Sequence, residues 1–246
     1  MMVQRLRQAG LIWPIVLALP AFALLVGLGT WQMQRLAWKE SLIAQITART
    51  HQPPVALAEL EKNARPGTLE YARVRVRGTF LHDREQFLWE PDPRQGPGYH
   101  VYTPLRLLDG RTLLVNRGYV TEAKKAASSR PEGQLKGEVE VVGLLREPIA
   151  RAMFSPDHDA KTGVWYWRDH DGMIKAALGA ESAKAVRFTL DADATPTNPG
   201  GWPQGGVTRL TLPNRHLEYA LTWYGLAATL IGVLAAFIIT RWRAAS

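Results

Sequence analysis

His216 lies in the stretch Pro213-Asn214-Arg215-His216-Leu217-Glu218-Tyr219, about one helical turn before the hydrocarbon expected from an uncharged apolar run. That run goes from Tyr219 to Thr240 and stops at Arg241-Trp242-Arg243. A neutral imidazole in this setting, close to Tyr219 and Trp223, suits the axial position on the iron of a lipid-soluble macrocycle. Such a group needs mainly one histidine and an apolar slot. The competing role is an interfacial histidine that caps the helix or bonds a backbone carbonyl.

Other groups with chemical possibilities carry less. Asp157-His158-Asp159 and Asp169-His170-Asp171 have the residue types of a metal site. Neighbours on an extended chain point to opposite faces, however, and four-coordinate sites draw ligands from separate elements. The two tripeptides therefore read as a loop after Pro156 and a helix cap at Asp171. The run Pro199-Gly200-Gly201-Trp202-Pro203-Gln204-Gly205-Gly206 lacks the spacing and the Lys-Ser/Thr ending of a phosphate loop, and no serine sits in GxSxG. There is no cysteine among the 246 residues. That removes disulfides, thiolate metal sites, CxxC redox chemistry and a cysteine nucleophile. The formal charge of +8 comes without a nucleic-acid-binding motif. Lys and Arg cluster beside the apolar blocks, so membrane lipid, not nucleic acid, is the expected partner of this charge.

The elements that position these residues begin with the membrane segments. A hydrocarbon core of about 30 Å takes roughly 20 apolar residues in a helix, and 219–240 supplies them, flanked by Tyr219, Trp223, Tyr224 and Trp242 at the headgroup levels. A second uncharged block, 10–29, follows Arg5 and Arg7. It is either a signal peptide cut near Ala21-Phe22-Ala23 or a retained span. Its length exceeds the roughly 7–15 residues of a signal core, which favours the span. Arg5 and Arg7 before one span, and Arg241 and Arg243 after the other, place both termini in the cytoplasm. The expected organisation is a cytoplasmic N-terminus (1–9), a first transmembrane helix (10–29), a periplasmic β-rich domain with a leading amphipathic helix (30–218), a second transmembrane helix (219–240) and a cytoplasmic C-terminus (241–246).

Between the spans, Trp31, Arg35, Trp38 and Leu42 form one row of a helix that ends at His51-Gln52-Pro53-Pro54. This row either packs against its surroundings or faces a flat, anionic ligand near the interface. Tyr71 to Phe80 alternates strictly, with Val74, Val76 and Phe80 inward and Arg73, Arg75 and Arg77 outward. Further strands are expected over 86–90, 99–107, 112–120, 138–145, 186–190 and 207–212, with Asp109-Gly110 turning one hairpin. A short helix covers 172–178. The fold class is an α+β membrane protein: two transmembrane helices flanking a mainly antiparallel β extracytoplasmic domain, as a sheet or a partly closed barrel.

The stretches Leu28-Gly29-Thr30-Trp31-Gln32-Met33-Gln34-Arg35-Leu36-Ala37-Trp38-Lys39, Tyr71-Ala72-Arg73-Val74-Arg75-Val76-Arg77-Gly78 and Val115-Asn116-Arg117-Gly118-Tyr119-Val120 resemble the SURF1/Shy1 family of cytochrome c oxidase assembly factors. So do Pro199-Gly200-Gly201, Gly205-Gly206-Val207-Thr208-Arg209 and Asn214 to Leu226, in the family's order. The resemblance implies a non-enzymatic, two-helix membrane protein that helps build the haem-copper oxidase core. It implies binding of haem a and help with its insertion into subunit I, with subunit I and other assembly factors as partners. A histidine at the second helix binds haem a in bacterial members, and that role falls on His216. Trp31, Arg35, Trp223 and Tyr224 also lie on family motifs and are candidates for lining the macrocycle. The alternative is a scaffold for oxidase subunits that does not itself bind haem. With no Arg/Ser-rich presequence before Leu11, the expected location is the bacterial inner membrane.

Overall fold

The computed structural model describes residues 10–62, 67–159, 161–210 and 212–244. Arg5 and Arg7, on which the expected side of the N-terminus rests, lie outside them. In chain order the elements are α1 (Ile12–Thr50), β1 (Val55–Ala56), α2 (Leu57–Lys62), β2 (Arg73–Phe80), β3 (Gln86–Trp89), β4 (Gly98–Leu107), β5 (Thr112–Thr121), β6 (Glu138–Arg146), β7 (Val164–Trp165), α3 (His170–Leu178), β8 (Ala185–Ala192) and α4 (His216–Ala244), with short 3-10 turns between some of them. They fall into two compact units, Met1–Gln45 with Thr211–Ser246, and Ile46–Leu210.

The first unit is a helix pair. Both α1 and α4 are long and apolar enough to cross a membrane, and their apolar windows are almost wholly unburied by protein. Exposed Leu17, Leu24, Leu221, Val233 and Ile239 are what lipid would cover. This is a two-pass architecture. With 39 residues, α1 is about 58 Å long, roughly twice the hydrocarbon thickness. The apolar block and the Trp-rich row after it are therefore one unbroken helix. Where α1 meets α4 the buried positions are small: Gly29, and on α4 Ala220 and Ala227. Small residues let helix backbones approach in lipid, where no hydrophobic force drives them together. A Cβ at Gly29 would stand 2.6 Å from the Tyr224 ring, so any larger residue there must displace that ring.

The second unit is built on one eight-stranded sheet in the order β1-β2-β6-β8-β5-β4-β3-β7, with β2 also pairing with β4. That extra pairing closes β2, β6, β8, β5 and β4 into a five-stranded barrel. Within the ring only β5–β8 is parallel. The alternation read over 71–80 holds: Val74, Val76 and Phe80 are buried, while Arg75 and Arg77 are exposed. They join Leu105, Leu113, Val115, Leu145, Phe188 and Leu190 in the barrel core. A second apolar cluster lies outside the barrel, where α3 brings Met173, Ile174 and Leu178 against Leu88, Tyr102, Leu114 and Trp165. Because β4 and β5 have protein on both faces, almost every residue in them is buried.

Two expectations are corrected. The cap of α3 is Asp169, not Asp171: its side chain accepts from the Gly172 N–H, and the helix begins at His170. Nor do residues 207–210 form a strand; Thr211 lies outside the described residues. Their polar groups bond sideways instead of joining a ladder: Gly206 N–H to the Ala192 carbonyl, Thr208 Oγ1 to Asp191, and Arg209 to the Pro91 carbonyl.

Candidate functional site

His216 is the first residue of α4, half-buried. Its Nδ1 donates to Oε1 of Gln32 on α1 at 2.7 Å. Among the described residues its Nε2 has no hydrogen-bond partner. An imidazole whose Nδ1–H is held by an acceptor keeps its lone pair on Nε2 and its ring plane fixed. That is how metal-ligating histidines are commonly oriented. Sequence reasoning missed Gln32, because nothing local in the chain marks a partner 184 positions away.

Helical spacing places the other expected residues. His216, Ala220, Trp223 and Ala227 follow one another at i, i+4, i+7 and i+11, a single face of α4. Ala220 and Ala227 are buried and Trp223 half-buried. Tyr224, on the neighbouring row, has its hydroxyl 3.2 Å from Thr30 Oγ1. Beyond His216, the Lys39 ammonium donates to the Pro213 carbonyl and ties the start of the α4 segment to α1. On α1, Gln32, Leu36 and Lys39 make the row that meets α4. Trp31, Arg35 and Trp38 form the adjacent row. Trp31 and Trp38 are each about half exposed, and the Arg35 guanidinium sits 4.5 Å from the Trp38 ring centre. The structure thus pairs His216 with Gln32, sets Trp223 about two turns along the same face of α4, and places Tyr224 against Thr30 and Gly29. Trp31 and Arg35 lie one helical row away.

The two Asp-His-Asp tripeptides are engaged in local structure. His158 stacks on Trp165 at 3.9 Å and bonds the Val164 carbonyl, while Asp157 pairs with Arg151 and Asp159 accepts from Lys161 and Thr162. His170 bridges the Val186 carbonyl and Asp171. Among the described residues no three His, Asp or Glu side chains converge in a group able to hold a metal ion. The arginine row of β2 is largely neutralised, since Arg73 pairs with Asp193 and Arg77 with Glu140.

The Val115-Asn116-Arg117-Gly118-Tyr119-Val120 stretch has an architectural explanation. The β4–β5 register shifts between His100 and Tyr102, which pair with Tyr119 and Asn116. Arg117 and Gly118 thus oppose the single residue Val101, a bulge that Gly118 makes possible at φ +119°. The bulge buries Arg117 beside a second arginine, Arg130, with Glu85 between them. Burial lowers the Arg117 pKa to about 10 against the opposing pull of Glu85, with Arg130 adding to the lowering. Burial alone would raise the Glu85 carboxyl, but hydrogen bonds from His82 and Arg130 and the charges of both arginines hold it below the usual range.

With this geometry in hand, the comparisons with known proteins bear on the whole chain. The profile of the SURF1 family matches residues 19–228. A "SURF1-like protein" of Monosiga brevicollis is 39% identical over 234 residues, 90% of this chain and 85% of that one. "Surfeit locus protein 1" of Takifugu rubripes is 40% identical over 222 residues, 82% of this chain and 87% of its own length. The human protein of the same name is 39% identical over 230 residues, 87% and 73% of the two chains.

Proposed function

This chain belongs to the SURF1 family, and we propose that it is a non-enzymatic assembly factor for haem-copper (cytochrome c) oxidase that holds haem a at His216 and passes it to subunit I. The observation that carries the haem reading is the Nδ1–Gln32 hydrogen bond. It leaves Nε2 available at the edge of an apolar helix pair, where a hydrophobic macrocycle partitions. Trp223 and Tyr224 supply apolar walls about two turns along α4 from the imidazole, and Trp31 lies on the flank of α1. Arg35, exposed one row from Gln32, is the cation for a propionate. A single protein ligand favours release, which a carrier needs: exchange of one imidazole for the acceptor's own transfers the cargo. The protein holds the macrocycle, keeps water from its apolar face and gives it up.

In this reading the protein resides in the bacterial inner membrane with the β unit periplasmic and both termini cytoplasmic. Arg241 and Arg243 in the last turn of α4 support that placement of the C-terminus. Visible spectra of the full chain, purified in detergent from a host that makes haem a and from one that makes only haem b, test the function. The expected result is a haem a band that His216→Ala abolishes. Folded protein that carries no pigment from either host yet co-purifies oxidase subunits would leave a scaffold that never touches haem.

A further inference from the structure

The β unit contains a second place with unspent chemistry, separate from His216. A cleft of about 450 Å³ is lined by Trp89, His100, Tyr102, Tyr166, Trp167 and Arg168, together with residues of the 207–209 segment. Its aromatic wall is open: the Trp89 and Tyr166 rings lie 6.5 Å apart at 50°, and both residues are about two-fifths exposed. Among the described residues, two side chains of its lining have donor positions left open. Tyr102 is buried, and its hydroxyl makes no hydrogen bond to any described residue. Arg168 is also buried; it donates to the Glu147 carbonyl at 3.0 Å, and among the described residues no carboxylate pairs with it.

The acceptors of the cleft, by contrast, are already used. The Asp191 carboxylate takes Asn116, Arg146 and Thr208. Glu90 stands 3.4 Å from His100 Nδ1 and 3.5 Å from Arg209. Burial pushes the His100 pKa down, against the pull of Glu90. Neither donor is sealed away from the cleft, and a few polar groups converging on an aromatic-lined pocket are what orients a small ligand there. Charge narrows the choice. Arg146 lies between Asp191 and Glu70, and Arg209 faces Glu90, so among the described residues Arg168 is the cation of the cleft without a carboxylate. A monoanion neutralises it, whereas a dianion overshoots.

We propose that this cleft binds a small aromatic carboxylate, its ring against Trp89 and Tyr166 and its carboxylate accepting from Tyr102 and Arg168. A guanidinium fork matches a carboxylate in two parallel hydrogen bonds, and the rings stack or meet edge to face. The volume accommodates a molecule of one or two rings.

Calorimetry and ligand-observed NMR on the full chain in detergent test this with three probes: 4-hydroxybenzoate, the dianion phenyl phosphate and the neutral benzyl alcohol. Saturable binding of 4-hydroxybenzoate is expected, with the other two weaker by about tenfold or more, the worth of a charge-assisted hydrogen bond. Arg168→Gln should weaken 4-hydroxybenzoate by a similar factor, and Tyr102→Phe by a few fold. Arg75→Gln, outside the cleft, should change nothing. Tyr102→Phe removes one oxygen and keeps the ring, so it stays informative if Arg168→Gln does not fold. The proposal falls if no probe saturates below about 1 mM, if benzyl alcohol or phenyl phosphate binds as well as the carboxylate, or if neither cleft variant shifts the affinity. None of these results bears on His216, so haem binding stands or falls separately.

Discussion

Replacing Glu85 by glutamine removes one negative charge from between two buried arginines. The Glu85 side chain is 4% exposed, Arg130 1% and Arg117 2%. Arg130 holds the carboxylate with two donors and Arg117 stands 3.6 Å away. Glutamine keeps the shape and one acceptor, but leaves two cations buried without a counter-charge. Breaking a buried pair in this way costs about 3–5 kcal/mol, a large part of the 5–15 kcal/mol that holds a typical domain together. For a unit the size of Ile46–Leu210, roughly 2–4 °C per kcal/mol translates this into a fall of about 6–20 °C in the unfolding midpoint. Near-UV circular dichroism of the full chain in detergent, followed through a thermal ramp, reads it directly. The exposed partner of Arg77 supplies the control, since Glu140→Gln should move the midpoint by less than about 1 °C. Adding Arg130→Met to Glu85→Gln removes one of the stranded cations and should restore part of the loss. A fall below about 3 °C for Glu85→Gln, or a double variant worse than the single one, would refute the buried-charge argument. The pH dependence has a definite sign. Folding lowers the Glu85 pKa from its ordinary 4.5, so the contribution is complete above that value and is lost as pH falls through the lower folded one.

Gly118→Ala should prevent stable folding of the β unit. Its Cβ would lie 1.8 Å from the Gln204 carbonyl oxygen at a φ of +119°, and protease resistance of the expressed chain checks it. Gln32→Leu should leave the fold intact and weaken haem retention about tenfold or more by freeing the His216 ring; the haem-to-protein ratio after purification is the readout, and an unchanged ratio would deny Gln32 its orienting role. Gly29→Leu should force Tyr224 away from α1, since even a Cβ meets that ring at 2.6 Å. A cysteine pair at Gln32 and His216, which touch across the helix pair, in a chain with no native cysteine, should then cross-link less efficiently than in the glycine background.

What could be read from the chain followed the range of the interaction that made it. Val74, Val76 and Phe80 alternate with arginines because one strand face meets a core, and that alternation is local. Asp109-Gly110 marks its hairpin for the same reason. Barrel closure through the β2–β4 pairing and the parallel β5–β8 pairing depend on partners far off in the chain, so no window of sequence carries them. The cap of α3 was misplaced by two residues because Asp169 and Asp171 flank His170 alike, and only the helix start separates them. His216 was legible, since its position beside an uncharged span is local, but Gln32 was not. The hardest residues to find were Arg117, Arg130, Glu85, Tyr102 and Arg168. Each is a polar side chain in the interior, where pattern reading expects apolar ones. For the first three the structure supplies the partners and the exception closes on itself as architecture. For Tyr102 and Arg168 it supplies an incomplete set among the described residues, and the donors that remain open face a cleft that a ligand can enter. That difference separates the Glu85 network from the cleft: one should be tested by unfolding, the other by titration with a ligand.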